Sequence, residues 1–90
     1  MSKFYFTYRT EGLPFDGGWT EVEAPTASAA VLAFRAFHPD QHEGILNCSD
    51  TYLPELFERS EMFRDGILGH RCREIITLQR ETVGDRGSSR

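Results

Sequence analysis

The sequence predicts an α+β domain with the element order β-β-α-β-α-β. Its sheet is mixed but mostly antiparallel, with about four strands and a helix packed on one face. Three observations lead there. Residues 3–10 (Lys-Phe-Tyr-Phe-Thr-Tyr-Arg-Thr) alternate with a period of two. Between Ala27 and His38 the apolar residues instead recur every three or four positions. Glycine and proline at positions 12, 14, 17, 18, 25, 39, 44, 54, 66 and 69 cut the chain into pieces of strand or helix length.

In the first strand Phe4, Phe6 and Tyr8 share one face, and Lys3, Tyr5, Thr7 and Arg9 share the other. A loop over residues 11–18 follows, then a strand at 19–24 with Thr20, Val22 and Ala24 on one face and Trp19, Glu21 and Glu23 on the other. The two strands form an antiparallel hairpin with a long loop. Thr26 is placed to cap a helix whose stripe is Ala27, Ala30, Val31, Phe34, Phe37 and His38. Pro39 stops it at His38, because the residue before a proline avoids the helical region. A third strand is expected at 45–49 and a turn at Asp50 or Thr51. Pro54 fits the first turn of a second helix with inner residues Leu53, Leu56, Phe57, Ser60 and Phe63, ending at Gly66. The last strand is expected at 71–79, with Ile75, Ile76 and Leu78 as its apolar content.

The chain has 90 residues, of which 39% are hydrophobic, and a formal charge of −4. That suits one compact domain, placed at residues 1–83, with a disordered polar tail at 84–90. The longest apolar run, Ala29 to Phe34, is far short of the roughly 20 residues of a membrane span. With no secretory pattern at its start, the chain is expected in the cytoplasm.

No enzymatic motif is present. Gly17-Gly18 precedes a strand where a phosphate loop needs a helix, and Glu21 and Glu23 read as a solvated pair on a sheet edge. Cys48 and Cys72 both fall in expected strands, and three states are open to them: free thiols, a disulfide, or ligands of a metal shared with His38, His42 and His70. The spacings match no zinc signature, so no cofactor is assigned, and His38 reads as a helix terminator.

The charge is polarised along the chain. Residues 16–65 carry ten acids against three bases, while residues 66–90 carry five arginines against three acids. The acidic middle favours a basic protein surface and disfavours nucleic acid. Asp16, Glu21, Glu23, Glu55, Glu58, Glu61 and Asp65 are the candidate partner-binding residues, with Phe15, Trp19 and Tyr52 as candidate aromatic anchors. The alternative is a small nucleic-acid-binding or regulatory protein. It would use Arg71, Arg73, Arg80, Arg86 and Arg90, with Tyr5 stacking bases from the solvent face of the first strand.

The stretches Phe4 to Tyr8, Pro14 to Ala24, Phe34-Arg35, His38-Pro39-Asp40 and Leu46 to Ser49, taken together over residues 3–76, resemble a family of small proteins of bacteria and their phages. The chain is similar in kind to phage-encoded anti-CRISPR proteins. That resemblance implies stoichiometric inhibition without catalysis. The implied partner is a Cas protein or a guide-RNA effector complex, whose nucleic-acid channel is positively charged.

Overall fold

The computed structural model of the chain describes residues 1–10, 15–39, 48 and 50–78. The elements in order are β1 (Ser2–Thr7), β2 (Trp19–Ala24), α1 (Ala27–Phe37), β3 (Asp50–Tyr52), α2 (Pro54–Phe57), α3 (Glu61–Asp65) and β4 (Cys72–Thr77). The strands form one mixed sheet in the order β3-β1-β2-β4. β1 is antiparallel to both β2 and β3, and β2 is parallel to β4. Three strands therefore share one direction, with β1 running against them. This is the α+β class that the sequence predicts.

That arrangement dictates where the helices go. Successive strands that share a direction need a crossover over one face of the sheet. The β2-to-β3 connection places α1 on the first face. The β3-to-β4 connection spans the whole sheet and carries α2 and α3 over the second. On the first face Phe4, Phe6, Tyr8, Val22, Ala24 and Ile76 pack against Ala30, Ala33 and Phe34 of α1. The Phe6 and Phe34 rings stack at 4.3 Å. On the second face Tyr5 and Trp19 pack against Phe57 and Ile67, with Tyr52, Met62 and Phe63 around them. The helix on one face is present as expected, and a second helical layer covers the other. Alternation along β1 holds, but Tyr5 and Thr7, expected on an open face, are as buried as Phe4 and Phe6.

The caps explain the helix limits. Thr26 Oγ1 accepts the Ala29 N–H at 3.1 Å, as the sequence suggests for an N-cap. The His38 backbone N–H closes α1 on the Phe34 carbonyl. Phe37 lies one turn past Ala33 on the same side, beyond the covered positions, and is 63% exposed. The single second helix is in fact two short ones. Ser60, expected on its inner face, donates to the Phe57 carbonyl at 2.7 Å and accepts the Phe63 N–H at 3.3 Å. A serine hydroxyl that bonds backbone competes with helix continuation. The break leaves Leu53 and Leu56 exposed while Phe57 and Phe63 turn inward. Gly66 ends α3 with φ 91°, as a C-terminal glycine should.

Two strand positions are corrected. The third strand is Asp50–Tyr52, where a turn was expected, because Tyr52 gains the aromatic ring of Phe57 at 5.5 Å as a partner. Of the expected 45–49 strand only Cys48 is described, and it lies outside any strand. β4 spans Cys72–Thr77, shorter than expected, and Ile75 is 62% exposed. The expected tail at 84–90 lies outside the described residues.

Gly17 and Gly18 hold the turn after α3 against the start of β2. The Gly18 N–H donates to the Ile67 carbonyl and the Trp19 N–H to the Arg71 carbonyl. Both glycines have positive φ, and a Cβ on either would sit 2.3 Å from a backbone oxygen. Gly69, also at positive φ, has open space around it. Gly18→Ala should therefore lower stability by more than the ~1–2 kcal/mol of left-handed strain alone, and Gly69→Ala by about that strain only. Urea unfolding midpoints of the two variants check this.

Candidate functional site

The seven acidic candidates separate once the sheet is built. Glu21 and Glu23 share the second face with Trp19, because side chains alternate along β2. Glu55 and Glu61 occupy the first turns of α2 and α3, exposed, with Glu58 between the helices and Asp65 at the end of α3. Six of the seven thus lie on the side of the sheet that carries α2 and α3. Asp16 is apart, in the loop before β2.

Several of these acids have structural work. Tyr5 donates its hydroxyl to Glu58 Oε2 at 2.6 Å, so Glu58 satisfies a buried phenol. Glu21 lies 3.8 Å from Lys3, Glu23 accepts the Thr77 hydroxyl at 3.1 Å, and Asp65 pairs with Arg64 at 2.9 Å. The hydrogen bond from Arg64 holds the Asp65 carboxyl below its ordinary range. Lys3, Arg59 and Arg64 lie on this side too, so the acids are interspersed with bases. β2 is an interior strand, which corrects the placing of Glu21 and Glu23 on a sheet edge.

The aromatic anchors are mostly core. Trp19 is 3% exposed and stacks on Phe63 at 5.7 Å. Tyr52 is half-buried beside Phe57. Phe15 is half-buried, edge-on to Tyr8 at 4.8 Å, with the Arg73 guanidinium 5.3 Å over its ring. Tyr5, placed on a solvent face for base stacking, is 2% exposed. The described arginines of the proposed basic stripe bond backbone carbonyls. Arg71 donates to Phe63 and Arg64 at the end of α3, and Arg73 to Asp16 and Gly17. Arg80, Arg86 and Arg90 lie outside the described residues.

On the first face a chain of polar side chains joins four elements, and the sequence gives no local sign of it. The Thr20 hydroxyl donates to Glu74 Oε2 at 3.0 Å. Its single proton is thereby committed, so the Tyr8 hydroxyl, 2.5 Å away, donates to Thr20 Oγ1. His38 Nε2 bonds the same Glu74 oxygen, with the ring beside Phe15 and Phe34. Glu74 faces this side because of an irregularity in the β2–β4 ladder. Trp19 pairs with Cys72 and Thr20 with Glu74, leaving Arg73 as the extra residue. His38 ends α1 as the sequence suggests, and its ring reaches a carboxylate on β4. Thr20 is fully buried and its hydroxyl joins Tyr8 to Glu74, while His38 carries the chain on to the end of α1.

Neither cysteine is in a disulfide; Cys72 is exposed and Cys48 half-buried against the first core. Burial first, then the charge of Glu21, pushes the Cys72 thiol upward, so it is protonated at neutral pH. Among the described residues no group of three or more His, Cys, Asp or Glu side chains is placed to hold a metal ion. No helix among them is long and apolar enough to cross a membrane. No family model, no curated protein and no solved structure matches the chain.

Thr20→Val keeps the volume but strands the Tyr8 hydroxyl and removes a donor from Glu74. It should cost about 1–3 kcal/mol in a urea titration. A pH titration tests the buried phenols. Burial is the main cause that raises Tyr5 and Tyr8 above the ordinary tyrosine range; the Glu58 hydrogen bond adds to it at Tyr5, while at Tyr8 the Thr20 bond opposes it. Ionisation above pH ~10 then favours the unfolded chain. Stability holds below that pH and falls above it by about 1.4 kcal/mol per pH unit for each phenol. Unfolding midpoints measured from neutral to strongly alkaline pH read the slope.

Proposed function

We propose that this chain is a non-catalytic protein-binding domain of a phage or mobile element, an inhibitor of the anti-CRISPR kind acting in the host cytoplasm. Its partner is a Cas protein or a guide-RNA effector complex, met through the acidic side that carries α2 and α3. The observation that carries the reading is the position of Glu55 and Glu61. Both stand exposed in the first turns of adjacent short helices, on the same side of the sheet as Glu21, Glu23 and Glu58. The aromatic cluster beneath them (Tyr5, Trp19, Phe57 and Phe63) gives that surface a packed base. A surface held in place before binding loses little entropy on association.

Recognition on this reading is electrostatic. Carboxylates on a rigid surface replace phosphates in a positively charged channel, and the complex weakens as salt rises. Glu58 plays a different part from its neighbours. Its bond to Tyr5 makes it structural, so reversing its charge disturbs the second core as well as any interface.

The informative variant is therefore Glu55→Lys with Glu61→Lys, leaving Glu58 in place. It should keep the wild-type unfolding midpoint and weaken binding to the Cas effector by at least about tenfold, or about 1.4 kcal/mol. Urea unfolding reads the midpoint, and titration calorimetry of the purified chain against Cas effector complexes, at low and high salt, reads the binding. Absence of binding by the wild-type chain to every effector tested, or equal binding by the doubly reversed variant, overturns the proposal.

A further inference from the structure

We propose that β4 can pair with β2 in two registers, one residue apart, and that Glu74 is the lock that holds it in the one observed. The two registers do not depend on the partner proposed above. The ladder carries one extra residue on β4, Arg73, between the Trp19–Cys72 and Thr20–Glu74 pairs. Beyond it Glu21 meets Ile75, Val22 meets Ile76 and Glu23 meets Thr77. Paired residues share a face, so Glu74 and Ile76 point to the α1 side while Ile75 and Thr77 point to the other. Ile76 lies in the first core, 7% exposed, and Ile75 is 62% exposed.

Closing the irregularity gives the second register. Everything up to the Trp19–Cys72 pair stays, and the strand beyond it slides forward by one place, about 3.3 Å. Thr20 then meets Arg73, Glu21 meets Glu74 and Val22 meets Ile75. A slip of one residue moves every side chain to the opposite face, which ordinarily empties a core. Here the core is refilled, because Ile75 and Ile76 are neighbours of the same type. Whichever of them meets Val22, an isoleucine fills the place beside it. The apolar centre of the strand therefore does not choose between the registers. Leu78, half-buried against the first core, favours the observed one at the far end.

The polar residues make the choice. In the observed register Glu74 Oε2 accepts the Thr20 hydroxyl and bonds His38 Nε2, and Arg73 donates to the Asp16 and Gly17 carbonyls. The slip breaks all of these. It takes the acceptor away from Thr20, at the head of the chain from Tyr8, and sets the Arg73 guanidinium beside that buried hydroxyl. It also sets Glu74 against Glu21, and like charges at directly paired positions repel. The extra residue disrupts the ladder locally, and the contacts of Glu74 offset that cost. The register also reaches the acidic side of the sheet. In the second register Glu74 stands with Glu21 and Glu23 on the side that carries α2 and α3, so the lock decides whether that side holds a further carboxylate.

The test moves the lock and asks whether the strand follows. Arg73→Glu with Glu74→Lys places the carboxylate one residue earlier. In the second register that carboxylate meets Thr20 and His38, and the introduced lysine meets Glu21. Ile75→Cys and Ile76→Cys, each made singly in a Cys48→Ser, Cys72→Ser background, report the register by their rates with a thiol reagent, with circular dichroism to confirm folding. Without the swap, position 75 should react at least about tenfold faster than position 76, because a buried thiol reacts only when the strand opens. With the swap the order should reverse. Deletion of Arg73 is the second variant. It removes the extra residue and leaves Glu74 to meet Thr20, so position 75 should stay the faster. An unreversed order in the folded swap variant overturns the proposal. So does a reversed order after the deletion, which assigns the irregularity to the turn before β4. Equal rates without the swap overturn it as well, because Glu74 then holds neither register. If the swap variant alone fails to fold, the deletion variant decides, and loss of the fold in both overturns the proposal.

Discussion

Burial of β1 on both faces is the constraint on which the rest of the molecule depends. From Phe4 to Tyr8 every side chain is covered, the odd ones by the layer of α2 and α3 and the even ones by the layer of α1. A strand in that position must have neighbours on both edges, and it has them in β2 and β3. It also needs a helical layer on each side, which the two crossovers supply. The small size of the chain sharpens the point. Each core is only a handful of residues, so both must be rich in aromatics to bury enough apolar surface. The stacking of Phe6 on Phe34 and of Tyr5 on Phe57, at 4.3 Å and 4.6 Å, puts one aromatic pair on each side of the same strand.

Much of this was legible where the determinants are local. Alternation marked β1 and β2, Thr26 and Pro39 bracketed α1, and Gly66 closed the helical region. The second helix reads as one piece in the sequence, because the spacing of Ser60 fits an inner face, while in the fold its hydroxyl bonds backbone. Ile45 and Leu46 look more strand-like than Asp50, yet pairing with Thr7 and packing on Phe57 put the third strand at Asp50–Tyr52. Nothing local predicts a cover on the second face, and so Tyr5 and Trp19 looked open to solvent.

The site was legible to a lesser degree. The acids could be counted and assigned to helix faces, and six of the seven share a side of the sheet. Their commitments could not be read. Glu58 belongs to Tyr5, 53 positions away, and Glu74 belongs to Thr20 and His38, 54 and 36 positions away. The same holds for the arginines. Arg71 and Arg73 look like a basic stripe in the sequence, and in the fold they fasten carbonyls at the end of α3 and in the loop before β2. Charge counted along a chain is informative about a surface only after these internal bonds have been subtracted.

The pairing of β2 with β4 has a consequence for how the molecule assembles. Trp19 meets Cys72 and Glu23 meets Thr77, so this ladder closes a loop of most of the described chain. The β1–β2 hairpin and α1, by contrast, are neighbours in sequence. Non-local pairing meets its entropy cost before its contacts form, and so comes late. During synthesis the hairpin and α1 emerge first, while the Trp19 ring waits for Phe57 and Phe63 of the second layer and the β2 edge stays bare until the last strand arrives. The nascent chain is most open to wrong partners in that interval, and the order of its elements along the sequence sets how long the interval lasts.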